Sequence, residues 1–238
     1  MLETQGSASL SYSAEQISAA LPYLNEREQA ELADALEQAE ADEIDRRCLA
    51  DPLHWAQNHT RTENPHYEKM GLPFREPFPK KSYFVPLFEA FKQYQFLFIP
   101  KSRDMMTSWS GMVWATYLAQ WRGAFSIVQT MKEEKARELV DYAACLYRNQ
   151  DRCLQDKYPL EGASLSDIRW KNGGRVLGVP AGIHQVRTYH PTLYIIDEAA
   201  FLPEAQACYN AVRASGSHVQ ILAISSAGPS WFGDVCSR

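Results

Sequence analysis

Four runs of strand length, YQFLFIP (94–100), AFSIVQT (124–130), LYIID (193–197) and VQILAISS (219–226), are apolar on successive residues instead of on every second one. A strand with one wet face alternates, whereas a run that is apolar on both faces must be covered on both. The stretches between these runs carry helical patterns at 107–121, 132–149 and from about Pro203 onward. Strands alternating with helices predict an α/β fold, a mainly parallel sheet covered by helices on both faces. A hairpin is predicted in DIRWKNGGRVLGVP, turning at Asn172 and Gly173. Ligands of such sheets bind beyond the carboxyl ends of the strands, so chemistry is expected in the loops 100–108, 197–200 and 225–229.

Composition adds boundaries to this picture. A chain of 238 residues, 45% apolar and 22% charged, has enough material for a sizeable core and is neither collagen-like, low-complexity nor broadly disordered. No apolar run approaches the ~20 residues of a membrane span, and MLETQGSASLSYSAEQ lacks a basic start followed by an apolar stretch. The expectation is a cytoplasmic protein without membrane partners. Cys48, Cys145, Cys153, Cys208 and Cys236 form no CxxC pair and are odd in number, which favours reduced thiols over a disulfide framework or a zinc site. His54, His59 and His66 lack metal-ligand spacing.

The net charge of −5 is unevenly spread: residues 1–50 hold 11 acidic and 3 basic side chains, and the remaining 188 hold 18 and 21. Two parts are therefore expected, an acidic helical N-terminal extension at 1–50 and a globular domain at 51–238. Ser13 with Gln16, and Asn25 with Glu28, are spaced as capping boxes, and the longer helix after Asn25 has only a thin apolar stripe of Leu32, Leu36 and Ile44. Residues 51–86, dense in proline and aromatics, are read as loops and short turns. Neither part is basic enough to argue for tight nucleic-acid binding from charge alone.

The loop after the first run has the setting of a phosphate-binding loop, GxxxxGK[ST], but little of its sequence. Aligned by the final hydroxyl, KSRDMMTS puts Lys101 and Met106 at the two glycines, Thr107 at the lysine and Ser108 at the hydroxyl, so only Ser108 fits. The strand, turn and helix context survives, with Lys101 and Arg103 at the start of the turn; a solvated basic loop is the plainer alternative. LYIIDEAAF ends a buried run in adjacent carboxylates. Asp197 there can hold Mg²⁺ through water and Glu198 can polarise an attacking water, or the two can simply cap the next helix. Ser225 and Ser226 end the fourth run in hydroxyls able to contact a γ-phosphate or its water, although small polar residues also end many ordinary strands. All three elements fall on one edge of one predicted sheet. Their joint placement predicts nucleotide hydrolysis.

The set IPKSRDMMTSW, SIVQTMKEEKARELV, VRTYHPTLYIIDEAAF and ILAISSAGPSWFGD resembles the ATPase domain of the large terminase subunit, the motor that packages DNA in tailed phages. That family commonly has a deviant Walker A of the type K-S-R-x-x-G-x-[ST]-W, a Walker B ending in Asp-Glu and a downstream Ser/Thr-rich coupling motif. The resemblance covers about residues 51–238. It implies a P-loop NTPase of the additional-strand, catalytic-Glu type using ATP and Mg²⁺. By the same resemblance, Lys101, Ser102, Arg103, Asp104, Met105, Met106, Thr107 and Ser108 form the nucleotide-binding loop. Lys101 and Arg103 neutralise phosphates, Ser108 and Asp197 hold Mg²⁺, Glu198 orients the water, and Ser225 and Ser226 couple hydrolysis to motion. Double-stranded DNA, a portal ring, a small terminase subunit and a ring of copies are the implied partners, in the cytoplasm of a bacterial host. A large terminase normally continues into an RNase H-like nuclease; this sequence stops about a dozen residues after the coupling motif, so ATPase chemistry without DNA cutting is expected.

Two departures accompany the resemblance. Met106 stands where the family usually has Gly, and a turn with φ > 0 is costly for a residue with a side chain. No adenine-binding Gln motif precedes the loop; PFPKKSYFVP offers Phe78, Tyr83 or Phe84, each of which can stack on a base or pack in the core. Arg187 sits where the family often has Arg-Gly, though Thr188 follows it here. Arg213, Arg152, Arg169 and Arg175 are each either an arginine finger or a surface ion-pair partner. Trp109, Trp114, Tyr117 and Trp121 form a core stripe. Two rival readings are a superfamily 2 helicase-like ATPase, on QTMKEEKARELV, and a degenerate, non-enzymatic terminase remnant.

Overall fold

The computed structural model describes residues 23–64 and 67–237, so the Ser13–Gln16 pattern and His66 lie outside the described residues. Helix α1 (Glu26–Ala50) starts at the expected capping box: the Glu28 N–H donates to Asn25 Oδ1 at 3.0 Å and the Asn25 N–H to Glu28 Oε2 at 2.9 Å. The chain divides between Ile44 and Asp45 into two compact units. In the first, α1 is mostly exposed. In the second, the last turns of the helix are packed: Asp45 accepts from Trp121 Nε1 at 2.8 Å, Tyr117 Oη donates to the Leu49 carbonyl at 2.6 Å, and Cys48 is fully buried.

The proline-dense segment holds more regular structure than its composition implies. Asp51 caps α2 (Pro52–Asn58) by accepting from the Leu53 N–H at 3.0 Å, and Pro52 occupies the first turn, where its missing N–H costs nothing. A two-stranded antiparallel ribbon, β1 (Thr62–Glu63) with β2 (Arg75–Glu76), flanks the short α3 (Tyr67–Met70). Helix α4 (Phe84–Gln93) carries Pro86 within its first turn and buries Phe84, Phe88 and Phe91 beside Phe78.

The sheet is built from β3 (Phe96–Pro100), β4 (Phe125–Gln129), β5 (Leu160–Ala163), β6 (Asp167–Trp170), β7 (Arg175–Val179), β8 (Leu193–Asp197) and β9 (Gln220–Ser225). Its order is β3-β9-β8-β4-β7-β6-β5; the first five strands are parallel, and β6 and β5 continue antiparallel. β9 thus lies between the strand that leads into loop 101–106 and the strand that ends in Asp197. This is the additional-strand arrangement. Helices α5 (Thr107–Arg122), α6 (Glu133–Arg148), α7 (Arg152–Lys157), α8 (Ala205–Ser215) and α9 (Trp231–Cys236) complete the domain.

Unbroken apolarity is explained by cover on both faces. Gly111 of α5 sits close enough that a Cβ there would lie 3.3 Å from Ile224 and 3.4 Å from Ile195. The alternate residues Tyr194, Ile196, Ile221 and Ala223 join Cys208, Tyr209 and Val212 of α8 in the opposite core. The hairpin closes the far end of α5: Asn172 Nδ2 donates to the carbonyls of Ala119 and Gln120 at 3.2 and 2.7 Å, next to Gly173 at φ 88°. Helix α8 begins at Ala205, two residues beyond the predicted Pro203, because Phe201 and Leu202 donate back to the Glu198 carbonyl and spend those residues in a turn. β5 and α7 have no counterpart in the sequence reading. Among the described residues no helix is long and apolar enough to cross a membrane.

Candidate functional site

The register levels the ends of the central strands. Pro100 pairs with Ser225, Ile224 with Asp197, and Ile196 with Gln129, so the loops leaving β3, β9, β8 and β4 emerge side by side. Loop 101–106 is pinned at its start, where the Lys101 N–H donates to the Ser225 carbonyl at 2.9 Å. It then turns through Asp104 at φ 60° and Met106 at φ 50°, ψ 26°, both left-handed. At the position where the resemblance expects Gly, a methionine carries the left-handed backbone.

No hydrogen bond among the described residues uses the backbone N–H groups of residues 102–109, and the first intrahelical partner, the Ser110 N–H, donates to the Met106 carbonyl at 2.9 Å. A run of free N–H groups wrapping into a helix N-terminus is an anion cradle. Ser102, Arg103 and Asp104 are exposed beside it and Lys101 is half-buried. Thr107 Oγ1, at the start of the helix that follows, is buried without a hydrogen-bond partner. These features fit a polyphosphate. Tyr83 is half-buried with its Oη 3.5 Å from the Met105 carbonyl, whereas Phe78 and Phe84 are core residues.

Ser108 Oγ donates to Asp197 Oδ1 at 2.9 Å, joining residues 89 positions apart. Asp197 is buried, and that burial pushes its carboxyl above the usual range; the Ser108 hydrogen bond and the Lys101 charge oppose the shift, and the Glu198 charge adds to it. A buried carboxylate that is disfavoured as an anion, with a hydroxyl on one side and an exposed carboxylate on the other, is a donor set suited to a hard cation. Among the described residues, no three His, Cys, Asp or Glu side chains are grouped to hold a metal by themselves. That suits Mg²⁺, which takes one or two protein oxygens and completes its shell with phosphate and water.

Glu198 is exposed and left-handed at φ 56°. The turn after it is held by β9: the Ala199 N–H donates to the Ile224 carbonyl and the Ala200 N–H to Ser225 Oγ, each at 3.0 Å. Ser225 is fully buried and ties the start of loop 101–106 through its carbonyl to the Asp197–Glu198 turn through its hydroxyl. Ser226 is half-buried, and its hydroxyl makes no hydrogen bond among the described residues. Gly228 supports Phe201, whose ring would lie 3.2 Å from an added Cβ.

Lys101, Arg103, Ser108, Asp197, Glu198, Ser225 and Ser226 thus lie on adjoining loops at one sheet edge. The four arginines weighed as fingers are engaged locally: Arg213 over the Phe96 ring at 5.2 Å, Arg152 with Asp156 at 3.0 Å, and Arg169 and Arg175 both with Asp167 at 2.8 Å. Arg187 is exposed ahead of β8. His59 bridges Asp151 at 2.7 Å and His54 at 3.2 Å. The segment QTMKEEKARELV carries part of the resemblance, but the sequence reading gives no role to its Lys135 and Glu138, which stand at the i, i+3 spacing of ion-paired helix residues.

Comparison with solved structures finds this fold in phage large terminases. The ATPase domain of the large terminase of Thermus phage P74-26, in an arginine-to-alanine variant, aligns at TM-score 0.50 and 17% identity, over 72% of this chain and 73% of that one. The large terminase of bacteriophage HK97 aligns at TM-score 0.55 and 9% identity, over 74% of this chain and 37% of that one. No protein-family model and no curated protein matches the sequence. The chain shares the fold of terminase ATPase domains.

Proposed function

We propose that this chain is the ATP-hydrolysing motor domain of a phage terminase large subunit, acting in the cytoplasm of a bacterial host to drive double-stranded DNA into a capsid. The observation that carries the proposal is the Ser108–Asp197 contact of 2.9 Å, which sets a helix-start hydroxyl and a strand-end carboxylate together under a cradle of free N–H groups. The shared fold supports the reading.

In this reading residues 102–109 receive the phosphates of ATP on their backbone N–H groups, and Lys101 and Arg103 balance the phosphate charge. Ser108 and Asp197 hold Mg²⁺, which supplies charge neutralisation at the transferred phosphoryl group. Exposed Glu198 orients the attacking water and accepts its proton. Ser225 holds the Glu198 turn to loop 101–106, so displacement of one is felt by the other. Ser226 is free to meet the γ-phosphate end. Residues 51–238 form the motor and 1–50 an accessory region; portal ring, small terminase subunit and further copies of the chain are the proposed partners. DNA cutting is no part of the proposal.

The test is magnesium-dependent ATP hydrolysis by the wild type, Glu198→Gln and the Lys101→Ala/Arg103→Ala double variant. Both variants are expected to lose turnover, Glu198→Gln by about 10²–10⁴-fold, the usual worth of general acid–base groups. A wild type that neither binds nor hydrolyses ATP at millimolar concentration establishes a degenerate remnant instead. Unwinding of a forked duplex without binding to portal rings establishes a helicase-like ATPase.

A further inference from the structure

The first turn of α6 is brought to the site by topology. β4 pairs with β8 in the register Gln129↔Ile196, and α6 begins four residues past Gln129, so its first turn stands beside the Asp197–Glu198 end of β8. Glu133 and Glu134 suit that turn, whose free N–H groups favour negative charge. Lys135 does not suit it. A lysine preceding a glutamate is also the weaker order for a helical ion pair. Helix stability therefore gives no reason for a cation at this position.

Lys135 is nonetheless held on its neighbours. Its Nζ donates to Glu138 Oε2 at 2.7 Å, and Glu138 Oε1 accepts from Tyr142 Oη at 2.9 Å. The Tyr142 ring stacks on Trp109 with centroids 3.9 Å apart and planes 6° from parallel. Trp109 follows Ser108, whose hydroxyl is on Asp197. Residues 135, 138 and 142 lie on one face of α6, and the path from Lys135 leads through the start of α5 to Ser108 and Asp197. The charges of Glu198 and Asp197 both act on Lys135, adding to the Glu138 hydrogen bond that raises its pKa, and the charge of Asp197 is also felt at Tyr142. With side chains 63% and 45% exposed, the Lys135–Glu138 pair contributes little to stability.

We infer that Lys135 is a positioning residue for hydrolysis: held on Glu138 and referenced to loop 101–106 through Tyr142 and Trp109, its ammonium steers the carboxylate of Glu198 toward the attacking water. This rests on the ATPase reading above. Glu198 is exposed, left-handed and next to a second carboxylate, so without a cation alongside, its side chain is free to turn away from the negative phosphates. Lys135 supplies that cation from the helix after β4, whereas Lys101 and Arg103 belong to the loop after β3.

The experiment is steady-state magnesium-dependent ATP hydrolysis by the full chain, with ATP affinity measured separately by calorimetry, for the wild type, Lys135→Ala, Lys135→Arg, Glu138→Gln and Lys135→Ala/Glu138→Gln. Lys135→Ala is expected to lower kcat by about 10–100-fold, the scale of a small misplacement of a reacting group, with KM and ATP affinity within about twofold of wild type. Lys135→Arg should recover most of the loss, and the double variant should be no slower than Lys135→Ala because the two side chains act through one contact. Melting temperatures should coincide throughout. A Lys135→Ala kcat within twofold of wild type, a loss confined to KM, no recovery in Lys135→Arg, or additive losses in the double variant each overturn the inference while leaving the ATPase reading standing. A wild type without turnover overturns both.

Discussion

Ser225 and Ser226 are adjacent hydroxyls at the end of one strand, and the structure separates their roles sharply enough to measure. Ser225 Oγ, fully buried, accepts the Ala200 N–H at 3.0 Å. Ser225→Ala removes one oxygen, leaves almost no cavity and strands that N–H in the turn after Glu198. An unsatisfied buried donor costs about 1–3 kcal/mol. For a domain of roughly 200 residues each kcal/mol moves the melting temperature by about 2–4 °C, so the midpoint should fall by about 2–12 °C. Ser226→Ala removes a half-buried hydroxyl without a partner among the described residues and should change stability by less than about 0.5 kcal/mol. Calorimetry and urea unfolding of both variants check this, with an unchanged urea m-value showing that only stability has moved. Under the proposed function catalysis should follow: the Ser225→Ala variant loses kcat because the Glu198 turn is no longer fastened to β9. Equal midpoints for the two variants, or a Ser225→Ala shift below 0.5 kcal/mol, would falsify the view that this hydroxyl fastens the two motif loops together.

Two further outcomes follow from the same geometry. Burial raises the Asp197 carboxyl above its unfolded value, so its contribution to stability is present below the unfolded pKa and is lost as pH rises through the folded one. At neutral pH without magnesium and nucleotide, Asp197→Asn should therefore melt higher than wild type, yet fail to gain the further rise that Mg-ATP gives the wild type; differential scanning fluorimetry with and without Mg-ATP reads both, and a lower-melting Asp197→Asn contradicts the assignment. Gly174→Ala would place a Cβ 2.0 Å from the Ala119 carbonyl oxygen and should cost about 3 kcal/mol, whereas Gly173→Ala, at φ 88° with nothing within 4 Å, should cost only about 1 kcal/mol of backbone strain; equal losses in urea unfolding would show that the hairpin yields freely from α5.

Sequence legibility tracked the length scale of the interaction that decides each element. The unbroken apolar runs marked β3, β4, β8 and β9 to within two residues at either end, because burial on both faces leaves no polar alternation to blur them. Helix α1 was legible from a three-residue spacing, since the capping box is a local contract between Asn25 and Glu28. Helix α2 was hidden by the prolines around it, although Asp51-Pro52 is itself a helix start; composition outweighed position in that reading. β5 was invisible for another reason: Leu160–Ala163 is a half-buried to exposed edge, with no burial pattern to announce it. At the site, the residue types of Lys101, Arg103, Ser108, Asp197, Glu198, Ser225 and Ser226 were readable. The contacts among them were not. The Ser108–Asp197 and Ala200–Ser225 bonds cross 89 and 25 residues, and they exist only because the strand order puts β9 between β3 and β8.

The missing glycine at 106 illustrates how a sequence departure and a structural one differ. Among the described residues four non-glycine positions have positive φ: Asp104, Met106, Glu198 and Glu204. The first three line the candidate site, and the fourth closes the turn that Glu198 opens. Left-handed backbone costs an L-residue about 1–2 kcal/mol, so such positions persist only where their surroundings impose them. Here the imposing contacts are visible: Lys101 is tied to Ser225, the Met106 carbonyl receives the Ser110 N–H, and Ala199 and Ala200 are tied to β9. The conformation that leaves the N–H groups of residues 102–109 without hydrogen bonds among the described residues is therefore set by the sheet edge and not by the freedom of a glycine. Read as a consensus, Met106 argues against a phosphate-binding loop. As geometry it argues for one, because a chain with no use for the turn would gain by relaxing it.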